Sequence, residues 1–406
     1  MTSFAPADLD ELRDAITDAL AAEEAVELVG GGSKRALGRP LQVPRTLDLS
    51  RLSGIRDYAP SELVLTAGAA TPLSEIEAAL AEHRQMLAFE PPDWDALLGV
   101  PSAELRRRTL GGVLACNLSG PRRIKAGAAR DHFLGFRGVS GRGEAFKAGG
   151  KVVKNVTGYD LCKLMAGSYG TLAALEEVTV KVLPRPEAEC TVALGGVAPT
   201  AATGVLTRAL ASPHEVSAAA YLPPGIEPDR GRGGTVILRI EGPPPSVAFR
   251  RERLIAELGP AGSPDWFADK ASAALWRRLR DAEPLAGPGE DAVWRVSVPP
   301  SRGAQLGAEI ACATAARWYL DWGGGLLWVA IAGREDGGAG LFREAIRGAG
   351  PDGGGHATLV RGGPALRRAL PVFEPQSPAL AALSRRVKDS FDPHHILNPG
   401  RMVEGV

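Results

Sequence analysis

The stretch Ala25–Pro40 reads AVELVGGGSKRALGRP. A short apolar run ends in three consecutive glycines, Gly30, Gly31 and Gly32, and Ser33, Lys34 and Arg35 follow. Glycine takes positive φ at little cost and lets the backbone come close to a ligand. Successive backbone N–H groups in such a turn form a concavity that binds anions. Two familiar anion loops do not fit. The dinucleotide fingerprint G-x-G-x-x-G must open a helix, with an acidic residue about twenty positions on. Residues Ser33–Pro40 contain Gly38 and Pro40 and show no helical apolar period. The P-loop pattern G-x-x-x-x-G-K-[ST] is absent. Taken alone, the stretch is open between a plain glycine turn after a strand and a phosphate-binding turn.

Working outward, the chain has 406 residues, of which 45% are hydrophobic, enough for two or three domains with a sizeable core. Lys plus Arg and Asp plus Glu balance at 47 each, so nucleic acid or an anionic membrane surface is not an expected main partner. Cys116, Cys162, Cys190 and Cys312 form no C-x-x-C spacing. They read as free thiols in a reducing compartment, not as a disulfide framework or an iron–sulfur site. MTSFAPADLDEL lacks the basic and apolar regions of a secretory signal. No apolar run approaches the length of a bilayer span. The expected location is cytoplasmic.

Leu9–Ala22 has helical apolar spacing. Ala25–Val29, Thr46–Leu49 and Glu62–Ala70 read as strands. A helix follows over Thr71–His83, with Thr71 as N-cap and Pro72 at N1. Gln85–Phe89 is strand-like, so the first half alternates strand and helix. Gly111 and Gly112 open a short apolar helix. Val156–Gly170 is helix-like, and a strand then stops at the prolines near Pro186. Residues 187–355 alternate strand-like pieces with helical ones, predicting an antiparallel sheet with helices on one face. The expected division is 1–186, 187–355 and 356–406, with an α+β fold class.

Three ordered segments carry a resemblance. VGGGSKRALG is followed by RTLGGVLACNLSGPRR with ARDHFLGF, and then by VVKNVTGYDLCKLMAGSYGTLAALEEVTVKVLPRP. The order and spacing resemble the FAD-linked oxidases of the vanillyl-alcohol oxidase type. Within these the likeness is to the E-subunit group of bacterial glycolate oxidase (glycolate dehydrogenase). It covers residues 1–185 and the closing GGGHATLVRG and VFEPQSPALAALSRRVKDSFDPHHILNPGRM; the middle is matched weakly.

The resemblance implies a two-subdomain FAD-binding domain of the PCMH type with a smaller α+β cap domain. It makes the anion the FAD pyrophosphate, held by N–H groups of Gly30, Gly31, Gly32, Ser33 and Lys34, with Arg35 in the same loop. It places Thr109, Gly111, Gly112, Asn117, Ser119 and Gly120 in a second flavin segment, whose short helix aims its positive end at phosphate. Asn155, Gly158, Tyr159, Gly170 and Thr171 form a third, and Asn398 in ILNPGR touches the flavin. Some relatives attach flavin through a histidine in or near the glycine loop. Ser33 and Lys34 stand there in this chain, so FAD is expected to be non-covalent. The implied partners are a catalytic flavin subunit, an iron–sulfur subunit and a small 2-hydroxy acid. Peripheral attachment to a membrane through those partners stays open.

Oxidising a 2-hydroxy acid needs a base for the hydroxyl proton and cations for the carboxylate. In catalytic relatives a histidine-rich strand and an E-H-G turn hold a divalent metal and supply a base. The matching pieces here are Leu320–Ala330, LDWGGGLLWVA, and GGGHATLV. Asp321 and Trp328 stand where metal-binding histidines are expected, and Gly355 stands for the glutamate. An indole only donates, so the metal site reads as lost. His356 is a candidate base, weighed equally against a structural histidine, and Arg361 a candidate carboxylate ligand. Trp294, Trp318, Trp322 and Trp328 read first as core and second as interface anchors. Three functions are carried: an FAD subunit of a glycolate dehydrogenase complex, a stand-alone D-lactate or related dehydrogenase, and a non-catalytic flavin scaffold.

Overall fold

The computed structural model describes residues 2–99, 108–151, 158–226, 233–287, 291–347 and 354–404. The N-terminal half holds two sheets. The first is three-stranded and parallel, in the order β1 (Thr2–Phe4), β3 (Arg45–Asp48), β2 (Val26–Val29). The second is antiparallel, in the order β4 (Ile55–Ala59), β5 (Val64–Gly68), β9 (Ala173–Lys181), β7 (Phe133–Ser140), β8 (Ala145–Gly149). A two-stranded ribbon pairs β6 (Gln85–Met86) with β10 (Leu183–Pro184). The helix Leu9–Ala21 is capped by Asp8, which accepts from Glu11 N, and it buries Leu12, Ile16 and Ala19 against the first sheet. Helix Leu73–Glu82 starts later than its sequence suggests. Its N-cap is Pro72, and the Thr71 hydroxyl turns back to donate to Gly68 O at 2.7 Å.

The C-terminal half is built on eight strands: β11 (Ala188–Val197), β12 (Ala218–Leu222), β13 (Gly234–Gly242), β14 (Ser263–Ala268), β15 (Ala292–Ser297), β16 (Arg317–Asp321), β17 (Leu326–Ile331) and β18 (His356–Arg361). They pair antiparallel in the order β14-β11-β13-β12-β16-β17-β15-β18. Helices Pro199–Ala211, Pro244–Leu258, Pro300–Thr314 and Ala339–Arg347 cover one face, and the core there includes Leu206, Leu254, Ile310 and Phe342. Strand alternation sends the other residues to the opposite face, which packs on the N-terminal half. Helix Asp269–Arg280 also lies there, through Leu275, Trp276 and Leu279. The sheet includes β18, which lies beyond residue 355.

Two features lock the halves together. Arg239 forks onto both oxygens of Glu90 at 2.9 and 3.1 Å, and Arg122 onto both oxygens of Glu241 at 3.1 and 2.6 Å. All four groups are buried or nearly so, and Arg122 also meets Glu90 at 3.0 Å, so they form one network in which removing a member leaves buried charge unbalanced. The C-terminal segment then returns to the first sheet. After helix Pro378–Phe391, Ile396 O accepts from Val26 N and Asn398 N donates to Val26 O. Among the described residues, no helix is long and apolar enough to cross a membrane.

Candidate functional site

A cavity opens where β2 ends, and Gly30–Arg35 line it. The turn is closed by Arg35 N donating to Gly32 O and Leu37 N to Lys34 O. No acceptor among the described residues takes the N–H of Gly30, Gly31, Gly32, Ser33 or Lys34. Five successive backbone donors without an acceptor among the described residues, on the wall of a cavity, form a concavity suited to an anionic ligand. Gly32 has φ +75°, which a bulkier residue would resist. The turn is held from behind by Glu27, which is 4% exposed. Arg401 bonds Glu27 at 3.0 Å and donates to Arg35 O and Leu37 O. Arg35 also forks onto Glu27. Its guanidinium is therefore committed to holding the loop, where the sequence had suggested a cofactor contact.

The second segment plays a different part from the one expected. Helix Leu110–Ala115 is capped by Thr109. Its first N–H groups are already used: Leu110 donates to Thr71 O, Gly111 to Ala69 O at 2.7 Å, and Gly112 to Thr109 Oγ1 at 3.2 Å. The helix therefore has no free first-turn donor to aim at a phosphate. Thr109, Gly111 and Gly112 do line the cavity. A side chain at Gly111 would begin 2.7 Å from Ala69 O, so glycine there permits close packing on the end of β5. Asn117, Ser119 and Gly120 lie outside the cavity lining. Asn117 accepts from Arg130 N, Ser119 from Ala129 N, and Gly120 O from Trp322 Nε1. They build the loop and the contact between halves.

Asn155 and Val156 lie outside the described residues. The helix expected over Val156–Gly170 is reduced to Leu161–Met165, capped by Asp160; Gly167 and Gly170, at φ +85° and +69°, break it. Tyr159 is 92% exposed and, with Gly158, is not part of the cavity. Thr171 is buried and donates to Ser168 O, whereas Gly170 lines the cavity. Asn398 lines it as well; its Oδ1 accepts from Leu28 N at 2.9 Å and its Nδ2 donates to Tyr169 O at 2.8 Å. It ties the end of β2 to the third segment. The sequence reading missed Met165, Ser168, Tyr169, Cys116 and Arg401 as lining residues. Burial pushes the Cys116 thiol up to about 11 and the Tyr169 phenol further still, so both stay protonated.

On the sheet face turned toward this half, register aligns Asp321 with Leu326, Leu326 with Ser297, and Ser297 with His356. The next row is Tyr319, Trp328, Arg295 and Thr358. Asp321 and His356 thus share a row across four strands. His356 is exposed overall; local crowding and the Arg295 charge lower its pKa. Asp321 is buried, accepts from Trp322 N at 2.6 Å, and burial pushes its carboxyl up to about 7. Arg361 donates to Asp291 O at 3.0 Å and Leu97 O at 3.2 Å, while its Nη2 is buried without a partner among the described residues. Two other arginines were not singled out by the sequence. The guanidinium carbons of Arg123 and Arg295 lie 4.2 and 4.7 Å from the indole of Trp322. Neither forms an ion pair with a carboxylate among the described residues, and burial lowers the pKa of Arg295 to about 10. A basic residue at an inward position of the alternating strand AVWRVS was the available signal. Trp294, Trp318, Trp322 and Trp328 are all buried, the core reading. Among the described residues no three His, Cys, Asp or Glu side chains could hold a metal ion.

Comparison with known proteins agrees with this architecture. Residues 3–149 match the family model of an FAD binding domain, and residues 372–402 match the C-terminal domain of FAD linked oxidases. The chain is 32% identical over 405 residues to glycolate oxidase subunit GlcE of Escherichia coli strain K12, covering 98% of this chain and 97% of that one. A shorter match, 40% identical over 103 residues, is to glycolate oxidase subunit GlcD of Bacillus subtilis strain 168, covering 25% of this chain and 20% of that one. The fold superposes on p-cresol methylhydroxylase with a TM-score of 0.69 at 13% identity, covering 99% of this chain and 88% of that one. The fold is therefore the α+β architecture of PCMH-type flavoproteins, and the chain belongs to the FAD-linked oxidase family, in the group of glycolate oxidase subunit GlcE.

Proposed function

We propose that the chain is an FAD-dependent oxidoreductase subunit of a glycolate-oxidising complex, with FAD bound non-covalently in the cavity behind Gly30–Lys34. The observation that carries the reading is the run of five backbone N–H groups without acceptors at the cavity wall. A pyrophosphate supplies anionic acceptors for such donors, and charge-assisted bonds of this kind are strong. FAD, when bound, supplies the hydride-accepting chemistry; the protein supplies position and charge. Ser33 and Lys34 offer no imidazole to the cofactor, which supports non-covalent attachment.

The substrate-side reading rests on Arg295 and Arg123. Two guanidinium groups without carboxylate partners suit the carboxylate of a small 2-hydroxy acid. Both guanidinium carbons lie over the indole of Trp322. A base for the hydroxyl proton is less well provided. His356 stands at the row's outer end, while Asp321 is buried and bonded to Trp322 N. Glycolate oxidation at full rate is accordingly assigned to the assembled complex, with a catalytic flavin subunit and an iron–sulfur subunit as partners. A stand-alone D-lactate dehydrogenase is the second reading: a D-lactate dehydrogenase of Archaeoglobus fulgidus is 31% identical over 157 residues, though across only 38% of this chain. Rapid mixing of the flavin-loaded chain with glycolate or D-lactate separates the two. Slow bleaching with both, restored for glycolate by partner subunits, supports the complex; fast bleaching of the isolated chain by D-lactate supports the alternative.

A further inference from the structure

One cation in the cavity has no anion assigned to it. The ammonium of Lys34 makes a single hydrogen bond, to Ser33 Oγ at 3.3 Å, and no carboxylate among the described residues lies within ion-pair distance. Asp95 and Asp93 act on it only at longer range, and burial lowers its pKa. The side chain leaves the turn that its own N–H belongs to. Its Cγ lies 4.0 Å from where a side chain at Gly112 would begin. Cys116, a protonated thiol at the far end of helix Leu110–Ala115, lines the same cavity. Beyond Lys34 the cavity wall turns apolar, with Ala115, Met165, Ala173 and Leu175. A flat ring system suits such a wall, whereas the five unpaired N–H groups remain behind at the turn. An unpaired cation in a poorly hydrated cavity acts strongly on any charge that develops beside it.

We propose that the Lys34 side chain serves the ring of FAD and not its pyrophosphate: its ammonium favours the negative charge that the ring gains on reduction, and so raises the reduction potential. The inference rests on the FAD reading above, and the test separates the two. The full chain is titrated with oxidised FAD, with reduced FAD, and with ADP, which carries the pyrophosphate and lacks the ring. K34M keeps the backbone N–H. We expect it to leave ADP affinity within about twofold. The ratio of reduced to oxidised FAD affinity should fall about tenfold, equivalent to about 30 mV for a two-electron couple. K34R should restore the ratio. If ADP and FAD affinities fall together at an unchanged ratio, the ammonium belongs to the pyrophosphate and the proposal is overturned. A folded K34M that binds no FAD overturns it too. Should K34M fail to melt cooperatively, K34Q is read by the same criteria. A wild-type chain that binds neither ADP nor FAD refutes the cofactor reading itself, and this proposal with it.

Discussion

Lys388 and Asp392 offer a quantitative test of how the C-terminal segment is fixed to the cavity. Lys388 is 3% exposed and Asp392 0% by side chain, and their ion pair spans 2.6 Å. The ammonium has two further acceptors, Thr171 O at 2.7 Å and Leu397 O at 3.0 Å. These carbonyls adjoin Gly170 and Asn398, which line the cavity. The substitution K388M keeps most of the side-chain volume but leaves a buried carboxylate without its cation and two carbonyls without a donor. Removing one partner of a buried pair costs about 3–5 kcal/mol. Asp392 would keep the N–H groups of Ile396 and Leu397, which places the expected loss near about 3 kcal/mol. The double variant K388M/D392N removes the stranded charge and should recover part of that loss. Urea denaturation of all three proteins, with and without FAD, reads both stability and cofactor affinity. Because the pair positions Asn398 and Gly170, FAD affinity should weaken about tenfold in K388M. A K388M protein within about 1 kcal/mol of wild type, or a double variant worse than the single one, refutes the argument.

Asp321 gives a pH test. Burial raises its folded pKa to about 7, against about 3.9 unfolded, so the folded state holds the extra proton between those values. Stability from this group is complete below the lower value and is lost as pH rises through the upper one. The stability of D321N relative to wild type should therefore increase from pH 5 to pH 8 (about 1 kcal/mol or more), and a flat difference by urea melts contradicts the assignment. Arg295 gives a ligand test. R295M should weaken glycolate binding to the assembled complex at least about tenfold while leaving FAD content unchanged, and an unaltered affinity by equilibrium titration removes Arg295 from the substrate site.

The parts of the site that the sequence disclosed are those determined locally. Three glycines after an apolar run announce a turn whose donors are free, and Gly30–Lys34 form one. What failed was set by residues distant in the chain. Arg35 was read as a cofactor residue of the loop because Glu27 and Arg401 were not known to converge there. The first turn of helix Leu110–Ala115 looked free because its acceptors, Thr71 O and Ala69 O, come from the end of β5 and the residues that follow it. Tyr159 and Tyr169 sit in one segment with similar local patterns; Gly167, at positive φ, turns the chain between them, and the second reaches the cavity. Arg361 and Arg295 were indistinguishable as basic strand residues until the register set Arg295 beside Trp322 and tied Arg361 to Leu97 O. The antiparallel eight-stranded sheet was legible from its alternating strands, but not its strand order, which places β16 and β17 between β12 and β15.

The central claim is that this chain holds one FAD, non-covalently, against the Gly30–Lys34 turn. It is tested most directly by reconstituting the purified chain with FAD, removing free cofactor, precipitating the protein with acid, and counting flavin in the supernatant per chain. The expected result is about one FAD released per chain, with a colourless pellet, and little retention by a G32V variant that cannot adopt the turn at φ +75°. Flavin that stays with the pellet, a wild-type chain that retains none, or a G32V chain that retains as much as wild type would contradict it.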